Sequence, residues 1–277
     1  AKARRTKSKK RIEDYGNLNA AIANLKAQAH KSVSLNLQSS GRKTKVLVQA
    51  ENLGLKFGDR QIFKGLNFAL AKGDKIALMG QNGAGKSSLL NIILGLMPPT
   101  TGEIKKVDTL DVGFFSQKRE ALPMNKTPWE VMGDGTDFII SNTGDKRHVA
   151  SYLESFLFRT DEIKRPIHTF SGGEKNRLQL AQFMKDARDL WILDEPTNDL
   201  DLETIGILED ELRNYPGALI VVGHDRSFIE NVTDKCWLIH EGELEIFEGG
   251  WGQAEMFLEA VELEKELKKK SPAASSA

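Results

Sequence analysis

Gly80-Gln81-Asn82-Gly83-Ala84-Gly85-Lys86-Ser87 decides how the rest of this chain is read. The stretch matches G-x-x-x-x-G-K-[ST], and its setting fits. Lys75-Ile76-Ala77-Leu78-Met79 before it reads as a buried strand, and Ser87 to Leu94 after it reads as a helix. Glycines let a backbone wrap round phosphates so that successive amide N–H groups point inward, and the helix N-terminus adds partial positive charge. A glycine-rich turn carrying a lysine by chance has no need of both flanking elements.

Further along, Leu190-Trp191-Ile192-Leu193 and Ala218-Leu219-Ile220-Val221-Val222 repeat the short apolar run, separated by helix-length segments. That pattern predicts a buried parallel sheet and an α/β class. Lys45 to Phe57 alternates like a strand, so a globular domain is expected over 45–250. Lys118 to Phe170 lacks the apolar runs and holds helical candidates such as Arg147 to Phe158, which predicts an inserted helical subdomain over about 118–185. After Trp251 the pattern is helical again, and residues 251–277 read as a C-terminal helix with a disordered small-residue tail. Before the domain, Ile12, Tyr15, Leu18, Ile22, Leu25 and Ala29 fall on one helical stripe within a basic segment, residues 1–44.

With 277 residues, 40% hydrophobic and 28% charged, the chain can bury a large core, which excludes disorder as its overall state. No run approaches the roughly eighteen apolar residues of a membrane span, and the basic N-terminus is followed by no apolar segment; neither a span nor a signal peptide is expected. Cys236 is the only cysteine. It reads as a packed core thiol, fits a reducing compartment, and a cytoplasmic location is expected. The zero net charge hides an asymmetry: residues 1–45 carry eight Lys and four Arg against Glu13 and Asp14, a net +10.

Phe170-Ser171-Gly172-Gly173-Glu174-Lys175-Asn176-Arg177-Leu178 resembles the signature sequence of the ATP-binding cassette (ABC) ATPases, with Phe170 where leucine is usual. In that family Ser171, Gly172, Gly173 and Glu174 would cap the γ-phosphate of ATP held by the opposite subunit. Leu190 to Glu195 resembles a Walker B strand followed by the catalytic glutamate. Two adjacent carboxylates are costly to bury without partners and should meet a cation at the sheet edge. Pro196-Thr197-Asn198-Asp199-Leu200-Asp201 looks like the D-loop that contacts a partner domain, and His224 like the switch histidine that bonds the γ-phosphate. Gln117, in Phe114-Phe115-Ser116-Gln117, resembles the Q-loop glutamine. Phe57 matches the aromatic that stacks on adenine, a contact of about 1–3 kcal/mol by analogy with base stacking, though it fits a core strand position as well. His30, His148, His168 and His240 have no such setting.

These elements stand in the family's order from Phe57 to His224. The resemblance implies a P-loop NTPase of the ABC ATPase type, with an antiparallel β subdomain and an inserted helical subdomain, that binds and hydrolyses ATP with Mg²⁺. ATP would lie on Phe57, the loop from Gly80 through Gln81, Asn82, Gly83, Ala84, Gly85, Lys86 and Ser87 to Ser88, and Gln117. Ser87, Gln117 and Asp194 would serve the metal, and Lys86, Glu195 and His224 the chemistry. Asp194 to Asp201 and His224-Asp225-Arg226-Ser227-Phe228 look like the ABC-F proteins, which carry two cassettes; Asp199 and Cys236-Trp237 resemble their Uup-like branch.

Ala3-Arg4-Arg5-Thr6-Lys7 resembles the end of the linker that in ABC-F proteins lies along tRNA at the ribosome. The chain would then begin partway through that linker and hold the second cassette. A segment of this charge favours nucleic acid by counterion release, read through backbone and shape; the alternative is a solvated helix. Three functions therefore stand: ribosome and tRNA engagement with translation regulation, the nucleotide-binding subunit of a transporter, and ATP-gated binding of structured DNA. In each, the signature cannot reach the phosphates at Lys86 of its own domain, so a second ABC domain is required, either a copy of this chain or another half.

Overall fold

Consecutive apolar residues leave a strand no polar face to turn to water, so such strands end up in the middle of a covered sheet. In the computed structural model of this chain, which describes residues 46–116, 122–141 and 145–270, three of these runs are β3 (Lys75–Gly80), β8 (Leu190–Asp194) and β9 (Ala218–Val222). They join β5 (Val112–Phe115), β10 (Lys235–His240) and β11 (Glu243–Phe247) in a six-stranded sheet of order β11-β10-β3-β9-β8-β5. Only the β10–β11 pair within it is antiparallel.

Alternation along each strand divides the interior into two cores. Ile76, Leu78, Leu190, Ile192 and Ile220 belong to one, and Ala77, Trp191, Leu193, Leu219 and Val221 to the other. The first core is closed by α1 (Lys86–Leu94), through Leu89, Leu90, Ile92 and Ile93, and by a separate antiparallel sheet of β1 (Val46–Phe57), β2 (Arg60–Ala71) and β4 (Thr101–Lys106). The second core takes in α5 (Gly172–Met184), α6 (Leu202–Asn214), α7 (Arg226–Val232) and α8 (Gly250–Lys270). Cys236 lies fully buried there, and burial pushes its thiol up to about 12.

Ahead of α5, the chain forms α2 (Pro128–Gly133), a hairpin of β6 (Phe138–Ile140) and β7 (Lys146–His148), α3 (Val149–Glu154) and α4 (Thr160–Ile163). The helix expected over Arg147 to Phe158 is shorter than that. Arg147 pairs with Ile139 in the hairpin, His148 caps α3 by accepting from the Ala150 amide, and Leu157 takes a left-handed φ of 61° that no helix continues. The basic segment, Gln117 and the small-residue tail lie outside the described residues. Among those described, no helix is long and apolar enough to cross a membrane.

Candidate nucleotide site

Ligands of open parallel sheets gather at the carboxyl ends of the strands. Here β3 delivers Gly80, β8 delivers Asp194 and Glu195, and β9 leads through Gly223 to His224. The loop between β3 and α1 needs its glycines. Gly80 has φ 148° and a Cβ there would stand 2.6 Å from the Ile239 carbonyl oxygen; Gly85 has φ 106° and a Cβ there would stand 2.6 Å from Ile62 Cγ2. Gly85 N-caps α1, and Lys86, its first residue, turns Nζ back to donate to the carbonyls of Gly80 at 2.7 Å and Gln81 at 3.3 Å.

Above this loop lies a cleft of about 430 Å³. Phe57, Asn82, Gly83, Gly85, Lys86, Ser87, Ser88, Asp194, Glu195 and His224 all line it. Gly80, Gln81 and Ala84 stand behind the loop instead, against neighbouring clefts. Phe57 is 51% exposed, which removes the core-strand alternative.

Glu195 follows β8 with φ 53°, a left-handed conformation rare for a residue with a side chain; its amide donates to Val222 O at 2.8 Å. This bend turns the carboxylate to within 3.3 Å of His224 Nε2. Burial raises the pKa of Asp194 and lowers that of Lys86; the charge of each pulls the other back toward ionisation, with Glu195 adding to the pull on Lys86. Among the described residues no group of three or more His, Cys, Asp and Glu could hold a metal ion. The cleft offers instead the Ser87 hydroxyl and the Asp194 carboxylate, two hard oxygens on its wall. That donor set fits Mg²⁺, which takes one or two protein oxygens and completes its shell with phosphate and water.

Ser171 to Glu174 do not line this cleft. They form a capping box at the start of α5: Ser171 Oγ accepts from the Glu174 amide at 3.2 Å, and Glu174 Oε2 accepts from the Ser171 amide at 2.6 Å. Burial pushes the Glu174 carboxyl up, but the Ser171 amide and the Arg165 guanidinium, which bonds its other oxygen, hold it below the usual carboxylate range. Phe170 is buried and stacks on Phe158, and the Arg165 guanidinium lies over its ring, 4.9 Å from the ring centroid.

The family described as "ABC transporter" matches residues 63–198. An ATP-binding protein Uup-like of Haemophilus influenzae is 36% identical over 98% of this chain and 60% of its own length. ATP-binding protein Uup of Escherichia coli is 34% identical over 100% of this chain and 44% of its own. The chain belongs to the ATP-binding cassette family. Within it, the cassette is of the Uup/EttA ABC-F type: the energy-dependent translational throttle protein EttA of Mycobacterium tuberculosis is 35% identical over 92% of this chain and 46% of its own length. The chain thus spans about half the length of these curated relatives. An ATP-binding subunit of an ABC transporter shares the fold at TM-score 0.62 and 21% identity, over 80% of this chain and 99% of that one. So does an ATP-binding cassette solved as a dimer with ADP and Pi, at TM-score 0.55 and 21% identity, over 73% and 98%.

The cassette also places three residues on the cleft that motif reading did not assign to it, Arg60, Ile62 and Val222. The signal was local. Gly58-Asp59 is a two-residue turn between alternating segments, and such a turn sets Arg60 directly opposite Phe57 in the β1–β2 ladder.

Proposed function

We propose that this cassette binds ATP with Mg²⁺ in the cleft over Lys86 and hydrolyses it together with a second ABC domain. The observation that carries this is the convergence of Lys86, Ser87, Asp194, Glu195 and His224, from three strand ends, on one cleft. Adenine stacks on Phe57, and the loop amides of Asn82, Gly83 and Gly85 to Ser88 cradle the phosphates. Lys86 exchanges its carbonyl partners for β- and γ-phosphate oxygens. Glu195 orients the attacking water and accepts its proton, and His224, close by, bonds the γ-phosphate. Ser87 and Asp194, with Gln117, hold Mg²⁺, which neutralises charge on the phosphate oxygens when bound. Ser171 to Glu174 act on the nucleotide of the opposite domain.

Hydrolysis, in this reading, is coupled to engagement of the ribosome and tRNA and so to regulation of translation, in the cytoplasm. The name of the EttA relative supports it, as does the net +10 of residues 1–45. Glu195→Gln should lower turnover by about 10²-fold or more while leaving ATP binding intact, and so trap the engaged state. Co-sedimentation of this variant with ribosomes should exceed the ADP control. Equal recovery in ATP and ADP overturns the ribosomal reading; preferential recovery on branched DNA at the same salt replaces it.

A further inference from the structure

We propose that α8 positions the switch histidine, acting through an ion pair between Arg226 and Glu255. This rests on the hydrolytic reading of the site. The side chain of His224 is 73% exposed on a loop of a few residues between β9 and α7, so its aim depends on how α7 is anchored. Asp225 caps α7 by accepting from the Phe228 amide at 3.1 Å, and Phe228 and Ile229 are buried beneath it. Arg226, two residues after the histidine, reaches across to the opening turns of α8. Its Nη1 lies 2.6 Å from Glu255 Oε1 and its guanidinium 5.7 Å from the Trp251 ring centroid.

A second contact ties the same helix to the phosphate loop. Lys265 Nζ lies 2.7 Å from Glu241 Oε1 at the turn that ends β10, and β10 carries the Ile239 carbonyl against which Gly80 is packed. Between the two ties lies a cleft of about 410 Å³, with Gly80, Gln81 and His224 on one side and Trp251, Leu258 and Val261 of α8 on the other. One helix therefore braces both loops that would meet the γ-phosphate, and a force on α8 is felt at His224. A solvated surface pair with no such role would contribute little to anything.

The test combines turnover with a readout that needs no turnover. Glu255→Gln and Arg226→Gln should each lower kcat about fivefold while KM for ATP stays within about twofold. The reversed pair, Arg226→Glu with Glu255→Arg, should recover most of the loss. In a His224→Ala background Glu255→Gln should cost nothing further, because its effect runs through the missing imidazole. Independently, amide exchange across residues 223–229 in nucleotide-free protein should quicken in Glu255→Gln and return in the reversed pair. Additive losses in the His224→Ala background, a KM that moves with kcat, or exchange unchanged by Glu255→Gln overturn the proposal. A wild type that does not hydrolyse ATP but shows the exchange response overturns the hydrolytic reading and leaves the brace standing.

Discussion

Lys75 opens β3 with its ammonium turned inward, donating from Nζ to the carbonyl of Tyr215 at 2.5 Å and to that of Gly217 at 3.4 Å, with the Tyr215 ring centroid 4.6 Å away. Burial pushes its pKa down to about 8, and the nearby Asp234 charge restores only part of the fall. Between about 8 and the ordinary lysine value of 10.5, the folded chain therefore holds fewer protons than the unfolded chain at this residue. Stability rises with pH wherever the unfolded state binds more protons, so this contribution grows across that window. Wild type should gain stability relative to Lys75→Met between about pH 7 and about pH 10 in denaturant titrations. Parallel curves for the two proteins contradict the assignment. Burial raises the phenols of Tyr152 and Tyr215, which oppose the trend only above the ordinary tyrosine range, so the window is clean at its lower end.

At the scale of elements, α5 illustrates how one stretch serves both fold and reaction. The box formed by Ser171 and Glu174 satisfies amides that would otherwise be orphaned at the helix start, and Arg165 fixes Glu174 from the side. Ser171→Ala should lower stability by about 1 kcal/mol and depress hydrolysis, yet leave ATP affinity of the dilute chain unchanged, since Ser171 lies off its own cleft. A matching loss of affinity in a nucleotide titration would place Ser171 in the wrong site. The signature at the start of α5 was legible as a family resemblance over Phe170 to Leu178, and β8 and β9 were legible because burial on both faces leaves an unbroken apolar run. The β6–β7 hairpin was not: of its six residues only Ile139 is buried, too few to impose an alternating pattern. Arg60 escaped for another reason, since its place on the cleft comes from ladder register rather than from any phosphate motif. Gln117 and the basic stripe were equally legible as patterns, but lie outside the described residues.

For the whole molecule, the decisive fact is that the signature does not line the cleft that holds the phosphate loop: that cleft takes residues from the ends of β3, β8 and β9, and Ser171 to Glu174 are absent from it. A reaction that needs both must borrow one from a second domain, and if two copies of this chain pair, they exchange signatures reciprocally. Complementation tests that geometry. Lys86→Ala removes the phosphate contact and Ser171→Arg blocks the signature, so each variant alone should be inactive. Mixed, half of the dimers at random pairing hold one site built from an intact cleft and an intact signature. The mixture should therefore recover up to about a quarter of the wild-type rate, and should lose it on dilution as pairs separate. An active site completed within one chain predicts no recovery at any ratio, and a wild-type rate per molecule that does not fall on dilution. Measuring both ATPase curves on the same concentration series decides between a shared site and a private one.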